Sequence, residues 1–561
     1  MATACGGGSN TSAPTFADTS TLPHRSPTSS CAGLGGTSVA ASSIGLPTSG
    51  ATITSAKVIA SAPETVVNGG VRHALPEYCQ IIGAIQPVDA GAPPIQFQVN
   101  VPTRWNQKTI QVGGGGLNGS IPNSLSVIAA AGGSLNGSAF PPDTPYPMSN
   151  GYAMFGGDSG HQDPGTSATW ALNDEAWQNF GHASLKKTHD AAFAVIQSLY
   201  GQKPRVSYFM GQSQGGREAM EVAQRYPEDY DGVVATSPLV GYVSHVVHKT
   251  LLAAVQTGPG WIPPGKGALV ASEVMRQCDA LDGLGDGVIG NYLACSALFE
   301  PARAAQPFTA IRCANGADLG DSCLSDAQIT TIRQMHAPTS YGFALANGWT
   351  SFPGYGVGQE NSGWLRTSPQ PSQAVQPALG QPGATVSYGI IKDPTFNLVN
   401  FSIAAFADRL KAASAIIDTT NPDLSRFFAR GGRLIVKVQS SDYSSNPRST
   451  MNYYDAVVAR FGQAQVDKHV RLYVLPNGNH GGSGQSLTTG EPIPQYIDTV
   501  GMATDWVEKG ISPPDAPVLK NQHSLPPYTT VATKPMCRYP AYPRYFGGDT
   551  KIADSYRCAT D

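Results

Sequence analysis

Arg205-Val-Ser-Tyr-Phe-Met-Gly-Gln-Ser-Gln-Gly-Gly-Arg217 decides the fold. Its first half is a strand pattern, with Val206, Tyr208 and Phe209 β-branched or aromatic and Met210 closing the run. The helix formers that follow, Arg217-Glu-Ala-Met-Glu-Val-Ala-Gln-Arg225, make a helix. Gly211-Gln-Ser-Gln-Gly215 between them has the spacing of a nucleophile elbow. A serine on so tight a strand-to-helix turn is backbone-strained. Side chains two residues to either side would clash, so glycine is needed there. Ser213 Oγ is then left exposed, and the Gln214 N–H points at a developing oxyanion at the helix N-terminus.

Working outward, Ile95-Gln-Phe-Gln-Val-Asn-Val101 alternates and reads as a strand. Thr109–Val112 is another, running into the glycine loop Gly113–Ser120. Four consecutive glycines let a backbone approach a ligand closely, and Gly116 is the candidate for the second oxyanion N–H. Tyr152–Phe155 is a short strand leading to His161, which reads as a loop brace. His189–Leu199 has helical periodicity. Asp231–Pro238 is the next core strand, so strand, helix and strand form a βαβ unit of a parallel sheet. From Gly241 to Pro422 the alternation gives way to scattered helices and Gly/Pro-rich loops, an insertion on the core. It resumes with strand Arg433–Val438, helix Met451–Phe461, strand Val470–Leu475 and helix Tyr496–Glu508. The tail from Pro513 reads as loop.

This pattern predicts an α/β-hydrolase core with a large inserted lid domain. Residues 1–30, rich in Ser, Thr, Pro and Gly, form a disordered N-terminal linker; 31–240 and 423–561 form the catalytic domain; 241–422 form the lid. Such a fold orders its catalytic residues as serine, acid, histidine, with the last two just beyond late strands. Asp442 follows Arg433–Val438, and His480 follows Val470–Leu475. The expected triad is therefore Ser213, Asp442 and His480. Asp455, inside a helix, and Asp423, ahead of its strand, are the competing acids.

The 561 residues are 41% hydrophobic and 13% charged, with 63 Gly and 44 Pro, which fits a loop-rich globular chain. A net charge of -3 gives no footprint for nucleic acid or for a basic membrane surface. No run approaches the roughly 18 apolar residues of a membrane span. The nine cysteines include no C-x-x-C, which argues against a zinc ribbon or a thioredoxin-like motif. Cys278/Cys295, Cys313/Cys323 and Cys537/Cys558 are local couples. With Cys31/Cys79 they read as four disulfides of an oxidising compartment, although spacing alone does not fix pairing and buried free thiols are the alternative. Cys5, after Ala-Thr-Ala and before a Gly/Ser tether, matches the end of a bacterial lipoprotein signal, so lipidation there is one expectation. An unpaired cysteine in a tail fits equally. The location expected is secreted, periplasmic or outer-surface, and the chain is expected to be a monomer.

Cys278-Asp-Ala-Leu-Asp-Gly-Leu-Gly-Asp-Gly-Val288 sets Asp279, Asp282 and Asp286 among turn-forming glycines. Carboxylate and backbone oxygens at this spacing can wrap a hard cation such as calcium, outside any EF-hand pattern. A solvated acidic loop is the alternative.

Together these residues resemble the tannase/feruloyl esterase family of α/β-hydrolases. The resemblance covers nearly all of the folded chain. It rests on Pro76–Cys79, Gly113–Ser120, Gly211–Arg217, Arg225-Tyr-Pro227, Tyr230-Asp-Gly-Val233 and Cys278–Val288, and on Thr420–Leu424, Gly431–Ile435 and Gly478–His480. It implies hydrolysis of aromatic carboxylic esters: gallates, ferulates, or related phenolic and phthalate-type esters. It implies a structural calcium on Asp279, Asp282 and Asp286 with the carbonyls of Leu284 and Val288. It also implies the pairings Cys31–Cys79, Cys278–Cys295, Cys313–Cys323 and Cys537–Cys558.

Two departures stand out. Members usually carry a disulfide between a cysteine before the serine and one after the histidine, where this chain has Gln212 and Gly481. The chain is therefore expected to be a variant lacking that disulfide. Members acting on a terephthalate monoester bind its free carboxylate with a lid arginine, but between Gly363 and Tyr388 this chain has only Arg366, out of register, so weak preference for monoacid esters is expected. Trp364 is the candidate for lining the acyl pocket. An esterase for aliphatic or polyester-derived oligomers, a protease or amidase with the same triad, and a non-catalytic surface binding protein are the rival readings.

Overall fold

The computed structural model describes residues 21–67, 70–125, 134–135, 138–163, 165, 167–256, 258–300, 308–358 and 380–560. Trp364, Arg366 and Cys5 lie outside them. Ten strands form one sheet: β1 (Ser38–Val39), β2 (Ala51–Ile59), β3 (Tyr78–Ile85), β4 (Ile95–Pro102), β5 (Lys108–Val112), β6 (Ala153–Gly157), β7 (Val206–Gln212), β8 (Gly232–Thr236), β9 (Arg433–Gln439) and β10 (Val470–Leu475). Their spatial order is β1-β2-β3-β4-β6-β5-β7-β8-β9-β10. From β6 to β10 every neighbour is parallel; from β1 to β6 the pairs are antiparallel. The core is an α/β-hydrolase-like sheet, as the alternating strand and helix patterns predict.

The parallel strands are buried on both faces, as parallel sheets require. Strand period two then sorts their side chains. Tyr208, Met210, Val234, Ile435 and Tyr473 point to one face, packing with Trp506 and Val507 of a helix at Thr499–Lys509. Phe209, Val233, Leu434 and Leu472 point to the other. There they meet Met220 and Val222 of α2 (Gln214–Arg225) and Met451 and Val457 of a helix at Pro447–Phe461. The preceding helix, α1 (Ser184–Tyr200), lays Ala191, Val195 and Leu199 on Phe97, Val99 and Phe155 of the antiparallel half.

Between β8 and β9 the chain leaves the sheet. Helices α3 (Tyr242–Val255), α4 (Pro264–Cys278), α5 (Asp326–His336) and α6 (Ala407–Ile417) lie in this excursion. It has apolar clusters of its own, one joining Tyr242, Val246, Leu398 and Ile417 to Trp177 and Phe180 of the core side.

Two expectations need correction. The reading of the chain as a variant short of a disulfide does not hold: four disulfides close, Cys31–Cys79, Cys278–Cys295, Cys313–Cys323 and Cys537–Cys558. The first ties the N-terminal segment to β3, so the covalent bracing of the core begins at its antiparallel edge. The tail is not loop. Strands at Val518–Gln522 and Thr530–Pro535 form one antiparallel pair, and strands at Tyr542–Tyr545 and Tyr556–Ala559 form another. Pro, Lys and Thr dilute their apolar alternation, which hid them.

Candidate active site

Ser213 sits between β7 and α2 with φ 61° and ψ -121°, a conformation that L side chains avoid. Strain of this kind costs about 1–3 kcal/mol and persists only where the surroundings fix it. Here the Ser213 N–H donates to Thr236 O at 3.0 Å, and Arg217 N–H donates to Ser213 O at 2.9 Å. The flanking glycines are sterically required. A Cβ on Gly211 would lie 2.3 Å from Gly215 O, and one on Gly215 would lie 2.6 Å from Gly114 O.

Asp442 and His480 leave the ends of the two neighbouring strands β9 and β10. His480 Nε2 lies 2.8 Å from Ser213 Oγ. Its Nδ1 lies 2.8 Å from Asp442 Oδ2 and 3.0 Å from Oδ1. Asp442 is buried and accepts hydrogen bonds from Ser444 N at 2.7 Å, Ser445 N at 3.0 Å and Ser445 Oγ at 2.5 Å. Burial alone would raise its pKa. The adjacent His480 and the hydrogen bonds outweigh it and hold the carboxyl below its ordinary value. The structure thus brings the three predicted residues together. Neither rival acid touches His480: Asp455 accepts from Tyr539 OH at 3.0 Å, and Asp423 pairs with Arg460.

The glycine loop closes over the start of α2. Gly113 N–H donates to Met210 O at 2.9 Å, and Gly215 N–H donates to Gly114 O at 2.9 Å. Gly116, at φ +60°, lines a cavity of about 320 Å³ together with Ser213 and His480. Leu117, Leu239, Tyr242 and Val246 give that cavity an apolar wall, and Lys249 supplies a cation. Lys249 Nζ stands 4.3 Å from the centre of the Tyr443 ring, next in sequence to Asp442. Gln214 occupies the first position of α2, and its side chain accepts from Arg217 Nε at 3.0 Å. His161 braces the loop: its Nε2 lies 2.8 Å from Leu117 O and its ring stacks on Trp170 at 3.9 Å. Burial lowers its pKa to about 4, so it stays neutral.

In the acidic loop, Asp279 accepts from Gly287 N, Asp282 from Leu284 N and Asp286 from Val288 N. Among the described residues, buried Asp282 Oδ2 has no hydrogen-bond partner. Burial pushes the Asp282 pKa up to about 6, although Lys534 opposes it, and Asp286 and Asp279 add repulsion. A hard cation is the kind of group that such an orphaned oxygen and three mutually repelling carboxylates accept. Among the described residues, the trio whose ligand atoms lie within 4.8 Å of one another is a different one, His189, Asp190 and Asp229. Lys186 Nζ already fills that place, 2.8 Å from Asp190 and 3.0 Å from Asp229. Asp279, Asp282 and Asp286 stand wider apart than this.

Sequence reasoning missed Ser445, which donates to Asp442, Lys249 on the cavity wall, and Glu218, which is buried on α2 and accepts the Gly114 N–H. Glu218 and Lys249 sit on helices as ordinary charged residues. Only their depth in the fold marks them, although a carboxylate on the first turns after an elbow serine was a usable signal.

The sequence model of the family described as tannase and feruloyl esterase matches residues 79–559. An uncharacterized esterase of Agrobacterium fabrum is 34% identical, covering 95% of this chain and 93% of its own. The mono(2-hydroxyethyl) terephthalate hydrolase of Piscinibacter sakaiensis is 30% identical, covering 87% and 85%. The crystal structure of feruloyl esterase B from Aspergillus oryzae superposes with a TM-score of 0.73 at 20% identity, covering 94% of this chain and 100% of that one.

Proposed function

The chain belongs to the tannase and feruloyl esterase family and is a carboxylic ester hydrolase; from that premise we propose that it cleaves aromatic esters, phenolic or phthalate-type, by acyl transfer through Ser213, His480 and Asp442. The observation that carries this reading is the Ser213–His480–Asp442 relay, with contacts of 2.8 Å at both ends of the imidazole, opening into a cavity with one apolar wall.

In this reading His480 Nε2 takes the Ser213 proton as Oγ attacks the ester carbonyl, then delivers it to the departing alcohol. Buried Asp442 fixes the imidazole tautomer and stabilises its cationic form. The N–H groups of Gln214 and Gly116 receive the oxyanion. Water then attacks the acyl-enzyme by the same route in reverse. The apolar wall of Leu117, Leu239, Tyr242 and Val246 supports a flat acyl group.

A structural calcium would be held by the carboxylates of Asp279, Asp282 and Asp286 with the carbonyls of Leu284 and Val288. The unpartnered Asp282 oxygen supports it. The ion would neutralise the loop and take no part in the chemistry. Four disulfides support an oxidising, extracellular setting for the chain. Among the described residues, no helix is long and apolar enough to cross a membrane. Anchoring through a lipid on Cys5 belongs to the proposal.

The test is an ester panel of methyl gallate, methyl ferulate, terephthalate and phthalate esters, and short aliphatic esters. Aromatic esters should lead by kcat/KM; a lead for aliphatic esters would sink the substrate assignment while leaving the hydrolase intact.

A further inference from the structure

The loop that carries Gly116 makes two of its hydrogen bonds with one buried carboxylate on the nucleophile's own helix. Glu218 stands on the first turns of α2, five residues after Ser213, and is 2% exposed. Its Oε2 accepts the Gly114 N–H at 2.9 Å, and its Oε1 accepts Asn118 Nδ2 at 2.5 Å. These two donors bracket Gly116 on either side. The fit leaves no slack: a Cβ on Gly113 would lie 2.7 Å from Glu218 Oε2 and 2.7 Å from Gly215 Cα.

We propose that Glu218 is the positioning residue of the oxyanion hole, the group that sets the Gly116 N–H relative to Ser213 by holding the loop at Gly114 and Asn118. The proposal rests on the hydrolase reading above. Its physical basis is that an oxyanion donor works only if it is already in place when charge develops, since reorganisation during the reaction erases the gain. Nucleophile and donor come from segments about a hundred residues apart, so something must fix their spacing. Glu218 is tied to Ser213 by the helix and to the loop on either side of Gly116 by two hydrogen bonds, at Gly114 and Asn118. Without it, the buried Gly114 N–H has no acceptor and the loop must shift to find one.

Buried Asn118 Oδ1 has no partner among the described residues, which makes the conservative variant informative. A glutamine at 218 can accept from Gly114 N–H through its oxygen and, once the Asn118 amide turns over to exchange Nδ2 for Oδ1, donate its own amide to Asn118 Oδ1. Glu218→Gln should therefore retain kcat within about threefold. Glu218→Met keeps the bulk but loses both acceptors. It should lower kcat by about 10²–10³, the usual cost of a lost oxyanion donor, with KM within about threefold. Affinity for an aryl boronic acid, a tetrahedral mimic, should fall in parallel.

Steady-state kinetics on a p-nitrophenyl ester and boronate inhibition test this. A folded Glu218→Met with unchanged kcat and boronate affinity, or with a loss confined to KM, overturns it, as does a Glu218→Gln as damaged as Glu218→Met. If Glu218→Met does not fold, Asn118→Ala replaces it. That variant removes one tether and should lower kcat and boronate affinity about tenfold, and unchanged values there overturn the proposal. Ser213→Ala, run alongside, separates the two readings. Near-parental esterase activity in it defeats the triad, whatever Glu218 does.

Discussion

The side-chain amide of Gln212 donates a hydrogen bond to the backbone carbonyl of His480, so the residue ahead of the nucleophile also holds the loop that carries the imidazole. Ser213 follows β7 and His480 follows β10, with β8 and β9 between them in the sheet, and this bond links the two segments directly. A hydrogen bond of this kind contributes about 0.5–1.5 kcal/mol. Gln212→Leu, which keeps the bulk, should lower kcat by about threefold to tenfold with little change in KM. Equal kcat in the two proteins would mean that the loop holds His480 without help.

Removal of any member of the Ser213–His480–Asp442 relay should be severe. Ser213→Ala and His480→Ala should each lower kcat on p-nitrophenyl esters by about 10⁴ or more, with folding intact by circular dichroism. The double variant should be no worse than either single one, because the residues act as a unit. Additive losses would argue against a shared proton path.

Much of this site was legible in the sequence. The parallel strands are buried on both faces, so they read as short continuous apolar runs, and the elbow announces itself by its glycines. Asp442 and His480 followed from strand ends and chain order. The antiparallel strands β1–β3 were not legible because Thr, Ser and Lys on the solvent face of β2 blur its alternation. Glu218 and Lys249 were not legible either, since what a helical side chain faces depends on segments distant in sequence. Trp364 falls outside the described residues and its proposed role stands on the sequence alone.

Lys249 gives the described cavity wall a positive charge near the apolar acyl surface. Lys249→Met should lower kcat/KM for esters whose acyl group carries an anionic substituent by about fivefold to tenfold more than for their neutral counterparts, an effect that added salt should weaken. Equal losses on both would show that the ammonium only packs on Tyr443.

The calcium assignment predicts a stability effect rather than a chemical one. A chelator should lower the melting temperature by several degrees, and added calcium should restore it. Asp282→Asn should abolish that response while leaving kcat within about twofold. A chelator that lowered kcat without moving the melting temperature would place the ion elsewhere.

Asp158 gives a pH signature. It is buried, accepts from Gly160 N at 2.9 Å, Gln96 N at 3.1 Å and Gln162 Nε2 at 2.7 Å, and burial pushes its pKa up to about 7. In the unfolded chain an aspartate titrates near 3.9. The folded state therefore holds this proton more tightly, and the group's contribution to stability falls as pH rises from about 4 to about 7. Asp158→Asn should gain stability relative to the parent across that window, measured by urea unfolding at both ends. A difference that does not vary with pH, or one of the opposite sign, would refute it.

The strand that the chain leaves and the strand by which it returns are neighbours in register, Gly232 opposite Arg433 and Thr236 opposite Lys437. Everything between them hangs from two adjacent attachment points, and the sheet closes beneath it whatever its length. The excursion is thus a cassette: evolution, or an engineer, can exchange it for one of another shape and retarget the same catalytic floor without rebuilding it.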